Sequence, residues 1–220
     1  MDFTRQTTHG GPVTLNCTGS SGGVDLDTKQ ALRRQLRAKR RAHVAALDPS
    51  TLALLFRRPP SAILAMIPKD ATIGLYHPVP TEAPTGGYAR FFAEAGHSIA
   101  LPHFAAADSP MMFRDWRDPY ADSDLVVGPF GALQPPAEAS EAKPDVVFVP
   151  LVGFTESGAR LGQGGGHYDR WLANHPQTAA IGMGWDVQSL DILPLEPHDR
   201  MLTAIVTPTR LFGPFERTSA

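Results

Sequence analysis

Residues 144–172 read PDVVFVPLVGFTESGARLGQGGGHYDRWL, and this stretch decides the fold. Its first part, 145–151, is an almost continuous apolar run, which predicts a strand buried on both faces of a sheet. A loop rich in glycine follows, and segment 168–174 then has the character of a helix. A strand, a glycine loop and a helix in this order indicate an anion-binding turn, because loop amides and a helix N-terminus both attract negative charge.

Helical and extended patterns alternate on both sides of this stretch. We expect helices at 27–47 (capped by Asp27 or Thr28), 50–66 (broken or bent near Pro59-Pro60), 83–95 and 168–174. We expect strands at 72–76, 98–101 (stopped by Pro102), 111–116, 125–127, 145–151, 179–183 and 204–206, and loops at 104–110 and 128–144. The alternation predicts an α/β fold, a three-layer α/β/α sandwich with a largely parallel, Rossmann-like sheet. Residues 1–26 are expected to be a flexible tail, and 27–220 a single domain.

Composition excludes several classes of protein. The 220 residues carry a formal net charge of -2, so no overall field attracts nucleic acid or an anionic membrane. The single cysteine, Cys17, cannot form an internal disulfide, which fits a reducing compartment. No run approaches the roughly 18 apolar residues of a membrane helix. We therefore expect a cytoplasmic protein with small-molecule ligands and neither nucleic-acid nor membrane partners.

The glycine loop has chemistry of its own. Glycine permits positive φ and a close approach of the backbone, so the amides of 162–166 can turn inward as a nest for phosphate. Arg160 and Arg170 flank the loop and can pair with phosphate oxygens. The loop is neither a Walker A motif nor a dinucleotide fingerprint. A mobile linker is the alternative, and these residues alone predict no more than a phosphate-binding α/β protein.

The stretch 144–172 closely resembles the signature of 5-formyltetrahydrofolate cyclo-ligases. Three more matches follow in the family's order: KQALR at 29–33, EAPT at 82–85, and His198-Asp199 followed by IVT at 205–207. The resemblance spans residues 29–208. The chain departs from the family pattern at His167, where a tyrosine is usual, at Gln163 and at Thr203.

The resemblance implies a fold, a reaction and its co-substrates. The expected reaction is the ATP-dependent cyclisation of 5-formyltetrahydrofolate to 5,10-methenyltetrahydrofolate, with release of ADP and phosphate. In chemical class this is a ligase that forms a carbon–nitrogen bond and uses Mg²⁺. We expect a monomer or a weak homodimer.

The resemblance also implies roles for individual residues. ATP would be bound by Lys29, Arg33, Arg160, Gly162, Gly164, Gly165, Gly166, His167 and Tyr168. The folate would be bound by Glu82, Gln163 and Tyr168, and Mg²⁺ by Asp169 and Asp199. Lys29, Arg160 and Tyr168 would be the catalytic residues, since phosphoryl transfer depends chiefly on positioning and charge neutralisation.

Each assignment has a simpler alternative. The basic residues of helix 27–47 can form a solvated face. Glu82 and Asp169 can be acids that favour a helix N-terminus, and Asp199 can belong to an ordinary turn. Two other functions stay open: another phosphate-ligand enzyme of the sugar-phosphate isomerase type, which needs no ATP, and a non-catalytic relative that binds folate or nucleotide.

Overall fold

The computed structural model of the chain describes residues 23–215. The helices are α1 (Gly23–Ala46), α2 (Pro49–Leu54), α3 (Ser61–Leu64), α4 (Gly86–Glu94) and α5 (His167–Asn174), with a 3-10 turn at Asp186–Gln188. The strands are β1 (Thr72–Gly74), β2 (Ser98–His103), β3 (Met112–Asp115), β4 (Val126–Val127), β5 (Leu133–Gln134), β6 (Glu141–Ala142), β7 (Val146–Pro150), β8 (Gly153–Thr155), β9 (Arg160–Leu161), β10 (Ala179–Met183), β11 (Ser189–Leu190), β12 (Ala204–Val206) and β13 (Leu211–Phe212).

Eight strands form the main sheet, in the order β13-β12-β10-β7-β1-β2-β3-β6. The five central strands, from β12 to β2, pair in parallel. Antiparallel strands flank them, with β13 on β12 at one side and β3 and β6 beyond β2 at the other. The prediction of an α/β fold with a largely parallel sheet is confirmed.

Strand β7 shows why the fold has three layers. Phe148 belongs to the core on one face of the sheet, where it packs against Tyr88 and Phe92 of α4. Val147 and Val149 point to the other face, into the core that contains Trp171 of α5. Successive side chains of a strand point to opposite faces, so an apolar run without alternation needs a cover on both.

A second, three-stranded sheet in the order β11-β8-β9 lies under α1, and the sequence analysis did not predict it. Leu36 of α1 is fully buried in a small core with Val152 and Leu161. A Cβ on Gly153 would stand only 2.5 Å from Leu36 Cδ1, so this glycine lets the helix approach the strand closely. The small sheet thereby fixes α1 beside the glycine loop.

The prediction that Pro102 stops a strand is wrong, because β2 continues to His103 with Pro102 opposite Phe113. The hydrogen bonds explain this. Ile99 O accepts from Trp116 N on the β3 side, and Ala100 O accepts from Leu75 N on the β1 side. Residues two apart in a strand point their backbone groups the same way, so the backbone N and O of Pro102 point toward β1, like those of Ala100. Strand β1 pairs only as far as Ala100. The N–H that Pro102 lacks would therefore point toward β1 beyond the last residue with which β1 pairs, so the register between β1 and β2 does not depend on it.

Other boundaries differ as well. The expected helix 50–66 is broken near Pro59-Pro60, as predicted, into two short helices, whereas the expected helix 83–95 begins only at Gly86. The expected loop 128–144 contains β5 and β6, because β5 closes a hairpin on β4 and β6 pairs with β3, which is distant in the chain. Helix α1 begins at Gly23, so the expected cap at Asp27 or Thr28 is wrong. Of the expected tail 1–26, residues 23–26 belong to α1, and the rest lies outside the described residues. Within 23–215, no helix has the length and apolar character needed to cross a membrane.

Candidate active site

A cavity of about 540 Å³ opens at the carboxyl ends of β1 and β7, where parallel α/β sheets bind ligands. This volume lies within the range of about 300–1,000 Å³ that is usual for small-molecule sites. The chain segment after β1, the β4–β5 hairpin and the glycine loop form its walls. The lining includes Arg40, Tyr76, His77, Val79, Glu82, Phe104, Phe130, Gln134, Arg160, Gly162, Gln163, Gly165, Gly166, His167, Tyr168 and Asp169.

The glycine loop has the backbone that its composition predicts. Gly164 has φ +112° and Gly166, which precedes the first residue of α5, has φ +64°. Both values lie in the region that glycine alone adopts readily. Arginines hold the loop from two sides: Arg33 Nε donates to Gly162 O over 3.0 Å, and Arg170 Nη2 donates to Gly165 O over 2.7 Å.

Glu82 lies in the cavity wall, and its side chain is only 6% exposed. One carboxylate oxygen accepts from Val79 N over 3.1 Å, and the other accepts from Gln163 Nε2 over 2.8 Å. Burial raises the pKa of Glu82 above its ordinary value, and the Val79 amide and the Arg40 charge oppose that rise. The carboxylate is thus a strong hydrogen-bond acceptor in a largely desolvated position.

Arg160 and Asp169 form an ion pair beneath the loop. Arg160 Nη2 lies 2.6 Å from Asp169 Oδ1, and the Arg160 side chain is 5% exposed. The same oxygen accepts from Arg200 N over 3.1 Å, and Arg160 Nη1 donates to Arg200 O over 3.0 Å. Burial lowers the pKa of Arg160, and the Asp169 charge opposes this shift. These contacts dock the segment that carries Asp199 against the start of α5.

Lys29 forms a second charged group next to this segment. Its Nζ lies 2.5 Å from Glu196 Oε2 and 2.8 Å from Asp199 Oδ2, and the Lys29 side chain is 4% exposed. Burial alone would raise the pKa of Asp199, but the hydrogen bonds from Lys29 and from Glu196 N bring it below its ordinary value. The structure therefore brings Lys29 and Asp199 together. Both lie outside the cavity wall, as do Arg33 and Gly164.

Aromatic rings stand at the mouth of the cavity. The His167 ring centroid is 4.9 Å from that of Phe104 and 5.3 Å from that of Phe130. Burial and then the charge of Arg170 lower the pKa of His167, so its ring is neutral at neutral pH. Tyr168 is partly buried deeper in the wall; burial and then the Glu82 charge raise the pKa of its phenol. The mouth thus presents flat, uncharged surfaces to a ligand.

The sequence analysis missed Arg37 and Arg40 as members of the site. Arg37 Nη2 donates to both the side-chain and the backbone oxygen of Gln163, over 2.7 and 3.0 Å. Arg40 is 5% exposed and lines the cavity. A signal existed in the spacing, because Arg40 follows the buried Leu36 by four residues and so falls on the same face of the helix.

Comparisons with known proteins agree on one family. The family model described as the 5-formyltetrahydrofolate cyclo-ligase family matches residues 25–208. The 5-formyltetrahydrofolate cyclo-ligase of Mycolicibacterium smegmatis is 36% identical over 146 residues, which are 63% of this chain and 74% of the relative. The enzyme of the same name from Escherichia coli K12 is 38% identical over 127 residues, covering 54% of this chain and 67% of the relative.

Solved structures resemble the whole fold. The NMR structure of Aquifex aeolicus 5,10-methenyltetrahydrofolate synthetase superposes with a TM-score of 0.66 at 23% identity, covering 87% of this chain and 95% of the other. The 5,10-methenyltetrahydrofolate synthetase of Mycoplasma pneumoniae superposes with a TM-score of 0.60 at 27% identity, covering 80% and 96%.

Proposed function

This chain belongs to the 5-formyltetrahydrofolate cyclo-ligase family, and we propose that its cavity is where 5-formyltetrahydrofolate is closed to 5,10-methenyltetrahydrofolate with conversion of ATP to ADP and phosphate. The protein is a ligase of one-carbon folate chemistry. Family membership replaces the sugar-phosphate isomerase and the non-catalytic binder as explanations of the glycine loop. The observation that supports the proposed site best is the buried Glu82 carboxylate facing the same cavity as the glycine loop.

On the folate side, Glu82 is proposed to accept hydrogen bonds from the amino-pyrimidine edge of the pterin. A carboxylate can accept two parallel N–H bonds, and a bond to a desolvated carboxylate is stronger than one in water. Gln163 Nε2 donates to Glu82 Oε1, which shows that a donor on the side of the glycine loop can reach this carboxylate. Tyr168, His167 and Phe130 supply flat surfaces for the rest of the ligand.

On the phosphate side, the loop amides between Gly162 and Gly166 are proposed to hold ATP, with the positive end of α5 behind them. Arg160 lies beneath the loop, and Arg33 reaches its first carbonyl. Lys29 is proposed to neutralise phosphate charge from its place beside Asp199. A ligand phosphate competes with these carboxylates for the same cations, so partner exchange is expected when ATP binds.

The proposed chemistry needs no protein nucleophile. The formyl oxygen on N5 attacks the γ-phosphate and ADP leaves; N10 then attacks the formyl carbon and gives up its proton to the phosphate or to solvent, and phosphate leaves as the methenyl bridge closes. Glu82 fixes the pterin, and the cationic side chains stabilise the charge that develops during phosphoryl transfer. Closely aligned substrates account for much of such a rate enhancement, because two molecules react as one.

The residues present fit a magnesium ion. Mg²⁺ usually takes one or two carboxylates together with waters and phosphate oxygens. Asp169 Oδ1 and Asp199 Oδ2 are engaged by cations and amides, which leaves each carboxylate its second oxygen. The side chains of Glu196, His198 and Asp199 place their ligand atoms within 4.8 Å of one another. Asp169 and Asp199 would hold Mg²⁺, which would supply charge neutralisation for the transferred phosphoryl group.

The direct test is the absorbance of methenyltetrahydrofolate formed from 5-formyltetrahydrofolate. We expect product with MgATP, and none without nucleotide or in the presence of EDTA. Product without nucleotide would contradict the ATP-dependent reaction, and full activity in EDTA would contradict the metal alone. A cytoplasmic location, the absence of nucleic-acid and membrane partners, and a monomer or weak homodimer stay predictions.

A further inference from the structure

Arg40 is an unusual side chain for the middle of a basic helix, because it is buried. Its Nη1 donates to Leu151 O over 3.3 Å and lies 3.8 Å from Glu82 Oε1. Its Nε is buried and finds no hydrogen-bond partner among the described residues. Burial lowers the pKa of the Arg40 guanidinium, and the Glu82 charge opposes this shift. A buried donor without a partner destabilises a fold, so packing alone does not explain this arginine.

The surroundings of Glu82 show what such a cation can do there. Arg40 and Arg37 face it from α1, Tyr76 faces it from the end of β1, and Tyr168 faces it from α5. Of these groups, only the arginines are cationic, and Arg37 donates its hydrogen bonds to Gln163. Arg40 is therefore the buried positive charge next to the Glu82 carboxylate. Without it, the burial that raises the pKa of Glu82 would be opposed by the Val79 amide, the Gln163 hydrogen bond and the Arg37 charge, so the pKa would rise further.

We propose that Arg40 is a positioning residue for Glu82, whose guanidinium keeps the carboxylate ionised and turned toward the cavity. The inference rests on the proposed function, in which Glu82 accepts hydrogen bonds from the pterin. A protonated Glu82 would present one donor and lose acceptor capacity, which mismatches the N–H edge of the ligand. Arg40 thus acts on folate affinity through Glu82 and not by touching ATP.

The next residue of the chain offers a matched control. Arg41 carries the same side chain on the same helix but is exposed. The variants are Arg40→Met, which removes the charge at similar volume, Arg40→Gln as a second charge-removing form, Arg40→Lys, which keeps the charge, and Arg41→Met. The first readout is the carboxyl titration of Glu82 by ¹³C NMR in the ligand-free protein, assigned by comparison with Glu82→Gln. The second is KM for 5-formyltetrahydrofolate and for ATP across pH.

We expect the titration midpoint of Glu82 to rise by about one pH unit or more in Arg40→Met, since a nearby opposite charge shifts a carboxyl by about 1–3 units. At a pH below both titration midpoints the folate KM should be about tenfold higher than in the wild type, as a one-unit shift implies, with little change in the ATP KM. Arg40→Lys should recover most of both effects, and Arg41→Met should match the wild type. If Arg40→Met does not fold, Arg40→Gln provides the same comparison.

An unchanged Glu82 titration in the charge-removing variants would overturn the proposal. So would a larger effect on the ATP KM than on the folate KM. The titration needs no substrate, so it decides on Arg40 even if the wild type makes no methenyltetrahydrofolate. That last result would instead overturn the proposed function.

Discussion

Gln163 Nε2 donates a hydrogen bond to Glu82 Oε1 over 2.8 Å, although 81 positions separate the two residues in the chain. Gln163 belongs to the glycine loop, and Glu82 follows the first strand of the sheet. The contact joins the proposed phosphate-binding loop to the proposed pterin acceptor. A change at either residue is therefore expected to alter how the two substrates are brought together.

Glu82→Gln tests the pterin acceptor. The variant keeps the shape of the side chain but loses a charged acceptor, which is worth about 1.5–3 kcal/mol for a charge-assisted hydrogen bond. We expect the folate KM to rise roughly tenfold to a hundredfold and the ATP KM to change little. Steady-state kinetics with each substrate varied in turn gives both constants. An equal rise in the two constants would argue against a pterin-specific role.

The pH dependence of folate affinity provides a second test of Glu82. Burial raises its pKa above the ordinary value of 4.5. Its ionised form is the acceptor, so affinity is expected to be constant well above the raised pKa and to fall as the pH drops through it. Calorimetric titrations of 5-formyltetrahydrofolate at several pH values measure this. Glu82→Gln serves as the control and should give a flatter profile; identical profiles would exclude Glu82 as the titrating group.

Lys29→Met separates the phosphate side from the folate side. The substitution removes the cation that lies between Glu196 and Asp199, so we expect a higher ATP KM and an unchanged folate KM. The fold should lose about 1–3 kcal/mol, because two partly buried carboxylates lose their charged donor. Lys39→Met is the matched control on the same helix, where the lysine is exposed. Denaturant unfolding measures the free energy of unfolding, and steady-state kinetics measures the two KM values. If Lys29→Met matched Lys39→Met in both, the role of Lys29 on the phosphate side would be disproved.

Gly164→Ala and Gly166→Ala test the phosphate nest. Both glycines have positive φ, and a side chain there strains the backbone by about 1–3 kcal/mol. We expect ATP affinity to fall about tenfold or more while the core of the domain survives. Substitutions at these two positions test the backbone of the loop more directly than one at Gly165, where an added Cβ would meet only the movable end of His167. Gly86→Ala, in helix α4 and free of close contacts, is the control, and calorimetry with ATP is the measurement.

His167 tests the aromatic mouth of the cavity. His167→Tyr keeps a ring against Phe104 and Phe130, so the folate KM should stay close to that of the wild type. His167→Ala removes two contacts between protein rings of about 0.5–1.5 kcal/mol each, so the free energy of unfolding should fall by about 1–3 kcal/mol, and the folate KM should rise because the cavity loses a flat surface. Because burial and Arg170 lower the pKa of His167, neither variant should change the pH profile near neutrality. A large loss in His167→Tyr would show that the imidazole itself contacts a ligand.

Much of the fold around the site could be predicted, because the sequence patterns that indicate it lie within short segments. The apolar run of β7, the glycine loop and the helix after it were all read from neighbouring residues. The predicted end of a strand at Pro102 failed for a physical reason that only the sheet reveals. Whether a missing N–H matters depends on which strand lies beside it, and the length of β1 decides that.

The sequence by itself determined the parallel α/β architecture, the position of the glycine loop and the family, because buried periodicity and glycine backbone freedom are properties of short segments. The tertiary structure alone decided that Arg40 lies against Glu82, that Lys29 lies between Glu196 and Asp199, and that Gln163 reaches Glu82. Such pairs join residues far apart in the chain. Their distances follow from how the small sheet and the main sheet place α1, and no local pattern encodes that placement.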